Sequence, residues 1–195
     1  MKRMFVLLLT GTVLAGCAGN TELVRRADMG ERSDIFSVVS TATPPDMGYA
    51  DLTIRASVKT HHQGTYPLVV DAHGTTGYEL LVNIDGQKLR LPGEPRKEDS
   101  SPDSLRDPDA GDGIRYLFRA HLRVKAGTHQ VISALPGDNL AVAREVLLAG
   151  GSDYLLELEP DYYTGRNKSS TGLPGSTSFR EGIRTLRVTL NGVEL

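Results

Sequence analysis

A strict alternation of apolar and polar side chains over residues 114–124 constrains the fold of this chain more than any other feature. The apolar set that would share one face of a strand is Ile114, Tyr116, Phe118, Ala120, Leu122 and Val124. Six consecutive matches to a two-residue period exclude a helix, in which apolar residues recur every three or four positions. The sequence therefore predicts a long strand with one buried face.

Shorter segments, separated by turn signals, predict further strands on both sides of this one. They cover residues 51–58, 67–71, 78–84, 87–91, 129–133, 140–148, 154–158 and 183–190. Asp85-Gly86 is a strong hairpin signal, because both central positions of a type I′ turn need a positive φ. A series of about eight or nine short strands predicts an all-β fold, namely an antiparallel β-sandwich.

Three turn motifs in the middle of the chain resemble the PEGA-type surface-layer domain, a small β-sandwich of bacterial envelope proteins. The motifs are Val82-Asn83-Ile84-Asp85-Gly86, Lys125-Ala126-Gly127-Thr128-His129-Gln130-Val131 and Leu135-Pro136-Gly137. The resemblance covers residues 78–158 and implies a binding or structural module without catalytic chemistry. In two places the chain departs from the family: Asp138 stands where tyrosine is usual, and an insertion follows Leu91. The sandwich is accordingly expected to be PEGA-like or Ig-like, or transthyretin-like.

The insertion spans residues 92–113 and is acidic and rich in proline. It has too few apolar side chains to order itself, so it is expected to be a long solvated hairpin loop. An alternative is a calcium loop, because the carboxylates of Asp107, Asp109 and Asp112 lie close together in sequence. The segment does not follow the EF-hand pattern, since Gly111 occupies its fifth position and the twelfth is not a glutamate.

The N-terminal residues have the organisation of a secretory signal, with Lys2 and Arg3 before a short apolar run. The run ends in Leu14-Ala15-Gly16-Cys17, which resembles the lipobox of bacterial lipoproteins. That resemblance implies cleavage before Cys17 and a diacylglycerol on its sulfur, with acyl chains such as palmitate. Residues 1–16 are then the signal peptide, residues 17–50 a lipidated tether and residues 51–195 the sandwich domain. In this family Ala18 after the cysteine implies the outer membrane, with the domain facing the periplasm.

Histidines near the second predicted strand suggest an alternative function, a metal- or ligand-sensing domain. His61, His62 and His73, with Asp71 two residues before His73, would offer three nitrogens and an oxygen of the types that zinc binds. The spacing follows no zinc signature, so we assign no metal and no cofactor from sequence. The same sensing function could instead use the Asp107–Asp112 loop.

Three arginines recur at every fourth position of the longest predicted strand. Arg115, Arg119 and Arg123 would form a candidate anion-binding face for phosphate or uronate groups of envelope polysaccharides. The alternative is that they form the solvated face of an antiparallel sheet.

Motifs and charge exclude several function classes. The chain has no Gly-x-Ser-x-Gly elbow, no His-Glu-x-x-His pair and no Walker loop, so we do not expect an enzyme. Removal of residues 1–16 takes two cations and no acid, so the formal charge falls from −2 to −4 and does not favour nucleic acid. The sequence predicts a lipid-anchored binding or scaffold module whose partner is cell wall, polysaccharide or an envelope protein.

Overall fold

The computed structural model describes residues 16–40, 43–66, 68, 70–99, 109–163, 179 and 182–195, with side chains from residue 19 onward. These residues form one helix, eleven strands and a short 3₁₀ turn, Pro136–Asp138. In chain order, the elements are α1 (Gly16–Asp28), β1 (Phe36–Val38), β2 (Tyr49–Thr60), β3 (Glu79–Ile84), β4 (Gln87–Pro92), β5 (Glu94–Glu98), β6 (Gly113–Lys125), β7 (Gly127–Leu135), β8 (Leu140–Leu148), β9 (Asp153–Tyr162), β10 (Ile183–Leu190) and β11 (Val193–Glu194).

The strands form two sheets that enclose one core, so the predicted β-rich, sandwich-like fold is confirmed. The larger sheet has seven strands in the order β1-β6-β2-β9-β10-β11, with β5 also paired to β6. The smaller sheet has the order β4-β3-β7-β8. Buried side chains of both sheets meet in the middle, among them Ile54, Phe118 and Leu122 from one sheet and Leu80, Val131 and Val142 from the other.

The centre of the larger sheet is the long pair β2–β6. Its antiparallel register runs without interruption from Tyr49 opposite Lys125 to Thr60 opposite Ile114. The predicted alternation is confirmed, because Tyr116, Phe118, Leu122 and Val124 are all fully buried. The side chains between them lie on the outer face of the sheet, which is the face that carries the arginines.

The predicted hairpin turn between β3 and β4 is also confirmed. Asp85 has a φ of +47° and Gly86 a φ of +89°, as a type I′ turn requires. The turn places Gln87 opposite Ile84 in the register of the hairpin.

The segment predicted as a tether packs on the sandwich instead. Leu23, Val24 and Ala27 of α1 lie against the outer face of the smaller sheet, where Ala134 and Ala141 are small enough for close approach. The side-chain amide of Asn83 donates to the carbonyl oxygens of Arg26 and Met29 and so holds the end of the helix. Strand β1 extends the same segment along β6.

Three further details differ from the predictions. The sandwich is not purely antiparallel, because β2 and β9 run parallel over Asp51–Ala56 and Asp153–Leu158. Within residues 67–71, the described positions form no strand. The insertion is partly ordered by the sheet, because β5 pairs with β6.

No helix in the described part of the chain is long and apolar enough to cross a bilayer.

Candidate metal centre

Two histidines and an aspartate meet where β2 ends. His61 follows Thr60, the last residue of β2, and Asp71 and His73 belong to the loop that leads to β3. Gly74 allows the two parts of this loop to touch, since a Cβ at this position would lie 2.2 Å from the backbone nitrogen of Gln63. The φ of Gly74 is +71°, which also favours glycine.

The three donor atoms form a nearly equilateral triangle. Nε2 of His61 lies 3.3 Å from Nδ1 of His73 and 3.4 Å from Oδ2 of Asp71. The remaining edge, from His73 Nδ1 to Asp71 Oδ2, is 3.5 Å. A tetrahedral zinc shell with bonds of about 2.0–2.1 Å has ligand separations of about 3.3–3.4 Å. The triangle therefore has the size of one face of such a shell.

The other polar atom of each donor residue faces a group that orients it. Nδ1 of His61 lies 2.9 Å from the carbonyl oxygen of His62, which can only accept, so Nδ1 carries the proton and Nε2 a lone pair. Nε2 of His73 lies 3.3 Å from Oδ1 of Asp138, within ion-pair distance but without the geometry of a hydrogen bond. Oδ1 of Asp71 accepts from the backbone N–H of His73. His61 Nε2 and His73 Nδ1 are also at hydrogen-bond distance from each other, so a cation bound by all three donor atoms would replace the proton between the two rings.

The surroundings of this cluster belong to both sheets. Asp138 lies in the 3₁₀ turn between β7 and β8 and accepts a hydrogen bond of 2.7 Å from the Tyr78 hydroxyl. The rings of Tyr66 and Tyr78 pack edge-on against His61 and His73, respectively. Both histidines are buried, whereas the side chain of Asp71 is 18% exposed. The cluster is therefore closed on the protein side and open to solvent past Asp71.

The structure brings together only some of the ligands considered from sequence. His61, Asp71 and His73 form the group, but His62 contributes its carbonyl oxygen and not its ring. In the Asp107–Asp112 loop, Asp107 lies outside the described residues. The Asp109 carboxylate is bound by Arg115 at 3.0 Å. Asp138 had no sequence signal beyond its departure from the PEGA pattern.

The arginine face is divided by ion pairs. Arg123 binds Asp51 through two hydrogen bonds of 2.9 and 3.0 Å, and these bonds hold the pKa of the buried Asp51 carboxyl below its usual value. Arg115 binds Glu98 and Asp109. Arg119 is exposed and makes no ion pair with any described residue, and the same holds for Arg55, directly opposite it on β2. Of the predicted face, only Arg119 makes no ion pair with a described residue, and Arg55, which sequence did not single out, lies beside it.

A buried cation lies close to the end of β2. The side chain of Lys59 is 1% exposed, and its Nζ lies 2.9 Å from Oε2 of Glu98 and 2.8 Å from the carbonyl oxygen of Asp109. Burial opposes ionisation of Glu98, but hydrogen bonds from Arg115 and Lys59 outweigh it and lower the pKa of this carboxyl. Burial raises the pKa of Tyr162, whose hydroxyl oxygen accepts from the backbone N–H of Lys59.

The predicted lipid-attachment residue lies in the first turn of α1. The helix begins at Gly16, so the backbone of Cys17 is helical, whereas its side chain lies outside the described residues. Residues 1–15, which hold most of the predicted signal peptide, also lie outside them.

Comparisons with known proteins identify no relative of this chain. Protein-family models, curated proteins and solved structures all give no match.

Proposed function

We propose that this protein is a non-enzymatic, lipid-anchored envelope module that binds a zinc-class ion through His61, Asp71 and His73. A zinc-class ion here means Zn²⁺ or another divalent first-row ion that accepts tetrahedral nitrogen and oxygen ligands. The observation that carries the proposal is the donor triangle with edges of 3.3, 3.4 and 3.5 Å. An octahedral ion with bonds of about 2.1 Å would favour shorter edges, near 3.0 Å.

The donor types support the same class of ion. Imidazole nitrogen suits zinc, copper and nickel, whereas calcium and magnesium prefer a shell of oxygens. Two imidazoles and one carboxylate leave a fourth position for water or for a partner's side chain, and Asp71 marks the open side.

The ion would link the two sheets of the sandwich. His61 follows a strand of the larger sheet, while His73 contacts Asp138 between two strands of the smaller sheet. Binding to the folded state alone stabilises it by about 2.7 kcal/mol at a hundredfold excess over the dissociation constant. We propose that the ion maintains the shape of this end of the scaffold.

Titration of the metal-free protein with Zn²⁺ tests the proposal. We expect one ion per chain by isothermal titration calorimetry and a higher melting temperature with Zn²⁺ than with EDTA. Co²⁺ should give the strong visible absorption of a tetrahedral complex, while Ca²⁺ and Mg²⁺ should leave the melting temperature unchanged. Absence of stoichiometric binding of Zn²⁺ and Co²⁺ would overturn the proposal.

Variants separate this site from unspecific binding by surface histidines. Asp71→Asn removes the ligand charge but keeps the Oδ1 atom that accepts from His73, so it should lower zinc affinity by more than about 100-fold without unfolding the chain. His121→Ala is the control, because His121 is partly exposed on the outer face of β6 and its nearest charged group is Asp51. Equal loss in both variants would contradict the assignment.

The envelope location and the finer fold are part of the same proposal. The lipobox-like end of the signal segment supports acylation of Cys17, and Ala18 supports the outer membrane with the domain in the periplasm. The turns at Asp85-Gly86 and Pro136–Asp138 support a PEGA-like sandwich over residues 78–158, because the resemblance expects turns at these positions. Mass spectrometry of the protein from its bacterial host tests the anchor, since an unmodified Cys17 would exclude it.

A second binding function, for anionic groups of envelope polymers, is supported by Arg55 and Arg119. The two guanidinium groups lie opposite each other on the outer face of the larger sheet, where like charges repel unless an anion bridges them. A shallow groove of about 230 Å³ lies along them and is also lined by Leu117 and by two carboxylates, Glu157, which lies opposite Arg55 on β9, and Glu159. We propose carboxylate or phosphate groups of a polysaccharide as the ligand.

Binding of polygalacturonate at low salt tests this second site. Arg119→Ala should weaken binding at least about fivefold, because an arginine–anion pair contributes roughly 1 kcal/mol or more. Arg25→Ala, which removes an exposed arginine of α1 already paired with Glu22 and remote from the groove, is the control. No difference between the two variants would contradict a polyanion site at this place.

A further inference from the structure

The loop between β2 and β3 exposes two aliphatic side chains beside the metal centre. Leu68 is 97% exposed and Val70 is 103% exposed, although sequence placed both in a strand. Single exposed aliphatic residues are common and need no partner. These two differ because only one residue separates them in the chain and because a second relevant feature lies at the same end of the sandwich.

That feature is the start of helix α1, which lies at the same end of the sandwich. The side chains of Thr21 and Asn139 contact each other, with Asn139 Nδ2 3.1 Å from Thr21 Oγ1. Asn139 follows Asp138, which lies 3.3 Å from His73. His73 in turn follows Val70 by three residues. Two side-chain contacts and two short chain segments therefore place the first turns of α1 and the exposed loop at the same end of the sandwich.

Cys17 is close to this end and has little freedom to leave it. It precedes Thr21 by four residues of helix, or about 6 Å along the axis. The helix is fixed from Leu23 onward by its packing on the smaller sheet. Acyl chains attached to Cys17 would hold the sandwich by this end, without a long flexible spacer.

We propose that this end of the sandwich faces the bilayer and that Leu68 and Val70 insert into the membrane interface. The inference rests on the lipid anchor proposed above and adds the orientation of the domain. Aliphatic side chains next to a lipidated residue give membrane attachment a second, non-covalent contribution. The partner is a surface of neutral phospholipids, because residues 63–70, which include Leu68 and Val70, carry no lysine or arginine that would select an anionic one. The metal centre would then lie directly behind the membrane-facing loop.

Fluorescent labels at the two ends of the sandwich test the orientation. Val70→Cys and Val193→Cys are prepared in the full-length lipidated protein, whose only native cysteine is blocked by acylation. Val193 is the matched control, since it is 68% exposed in the hairpin of β10 and β11, near the start of β9. Each variant is labelled with an environment-sensitive dye and reconstituted into phosphatidylcholine vesicles. We expect a blue-shifted emission and at least twofold stronger quenching by brominated lipid at position 70 than at position 193.

The same samples distinguish failure of the orientation from failure of the anchor. Intact-protein mass spectrometry reports whether Cys17 carries acyl chains. If Cys17 is acylated and position 70 is quenched no more than position 193, the orientation is wrong while the anchor stands. If Cys17 is unmodified and takes up dye, the anchor is wrong and the orientation falls with it. A label at Thr65→Cys should likewise be quenched more strongly than the label at position 193. Replacement of Leu68 and Val70 by serine in the same protein leaves the buried residues unchanged and should remove this preference.

Discussion

His73 and Asp138 form the contact that joins the candidate metal centre to the smaller sheet, with Nε2 and Oδ1 3.3 Å apart. The Tyr78 hydroxyl holds the other carboxylate oxygen of Asp138 at 2.7 Å. A carboxylate that contacts the non-ligating nitrogen of a histidine ligand fixes the orientation of the ring and raises the basicity of the ligating nitrogen. For the proposed site we therefore expect Asp138 to position His73 and not to act as a ligand.

Replacement of Asp138 should weaken metal binding without removing a ligand. We expect Asp138→Ala to lower zinc affinity by about 10–100-fold, as measured by competition with a chromophoric chelator. Asp28→Ala is the control, since Asp28 forms exposed ion pairs at the far end of α1. An unchanged affinity in Asp138→Ala would show that the contact does not support the site.

Gly74 offers a test of how the loop closes around the ligands. Gly74→Ala would place its Cβ against the backbone of Gln63, where no side chain can move aside, so we expect lower stability and loss of zinc binding. Gly64→Ala is a matched control, because Gly64 also has a positive φ, of +78°, but a Cβ there meets nothing within 4 Å. Gly64→Ala should lower the unfolding free energy by only roughly 1 kcal/mol, which is the cost of alanine in a left-handed backbone conformation, and should leave the zinc affinity unchanged. Similar behaviour of the two variants in urea unfolding and zinc titration would contradict the close contact.

The fold could be predicted where the information is local. The alternation on β6 and the Asp85-Gly86 turn depend on neighbouring residues and an intrinsic backbone preference. The parallel pairing of β2 with β9 depends on strands far apart in sequence, and neither strand carries a signal for its partner. The sequence did not predict the packing of α1 on the smaller sheet, because its three sheet-facing residues, Leu23, Val24 and Ala27, lie among polar residues.

The candidate site was predictable in its donors but not in its geometry. The sequence points to His61, Asp71 and His73 because these residue types are good ligands, but it does not separate them from His62. That distinction depends on the bend after β2, which directs the His62 carbonyl at the His61 ring. Asp138 contributes from another sheet, so its role follows only from the packing of the two sheets. The apolar run near residue 68 has the composition of a strand, although Leu68 and Val70 end on the surface.

The buried Lys59 and its partner Glu98 should be strongly coupled. Glu98→Ala leaves the ammonium group of Lys59 buried without that carboxylate, and we expect a loss of roughly 3 kcal/mol in unfolding free energy. Lys59→Met fills the same space without a charge, so the double variant should recover part of this loss. A double-mutant cycle from urea unfolding measures the coupling, with an expected value above about 1 kcal/mol. Additive losses would show that other groups satisfy Lys59 equally well.

The ion pair of Asp51 with Arg123 should make stability depend on pH in the acid range. Hydrogen bonds from Arg123 lower the pKa of Asp51 in the folded protein below its value in the unfolded chain, about 3.9. The stabilisation is therefore fully present above that unfolded value and is lost as the pH falls through the folded one. Asp51→Asn should lower the unfolding free energy by roughly 1–2 kcal/mol at pH 7, because the side chain is buried and both oxygens face a guanidinium.

The difference between wild type and Asp51→Asn should shrink as the pH falls below about 4, because the wild-type carboxyl then becomes protonated as well. Urea unfolding at a series of pH values between 7 and 2.5 measures this convergence. Asp153→Asn is a suitable control, since Asp153 lies opposite Asp51 on β9 but is exposed. A deficit of Asp51→Asn that stays constant down to pH 2.5 would mean that Asp51 stabilises the sheet through its shape and not through its charge.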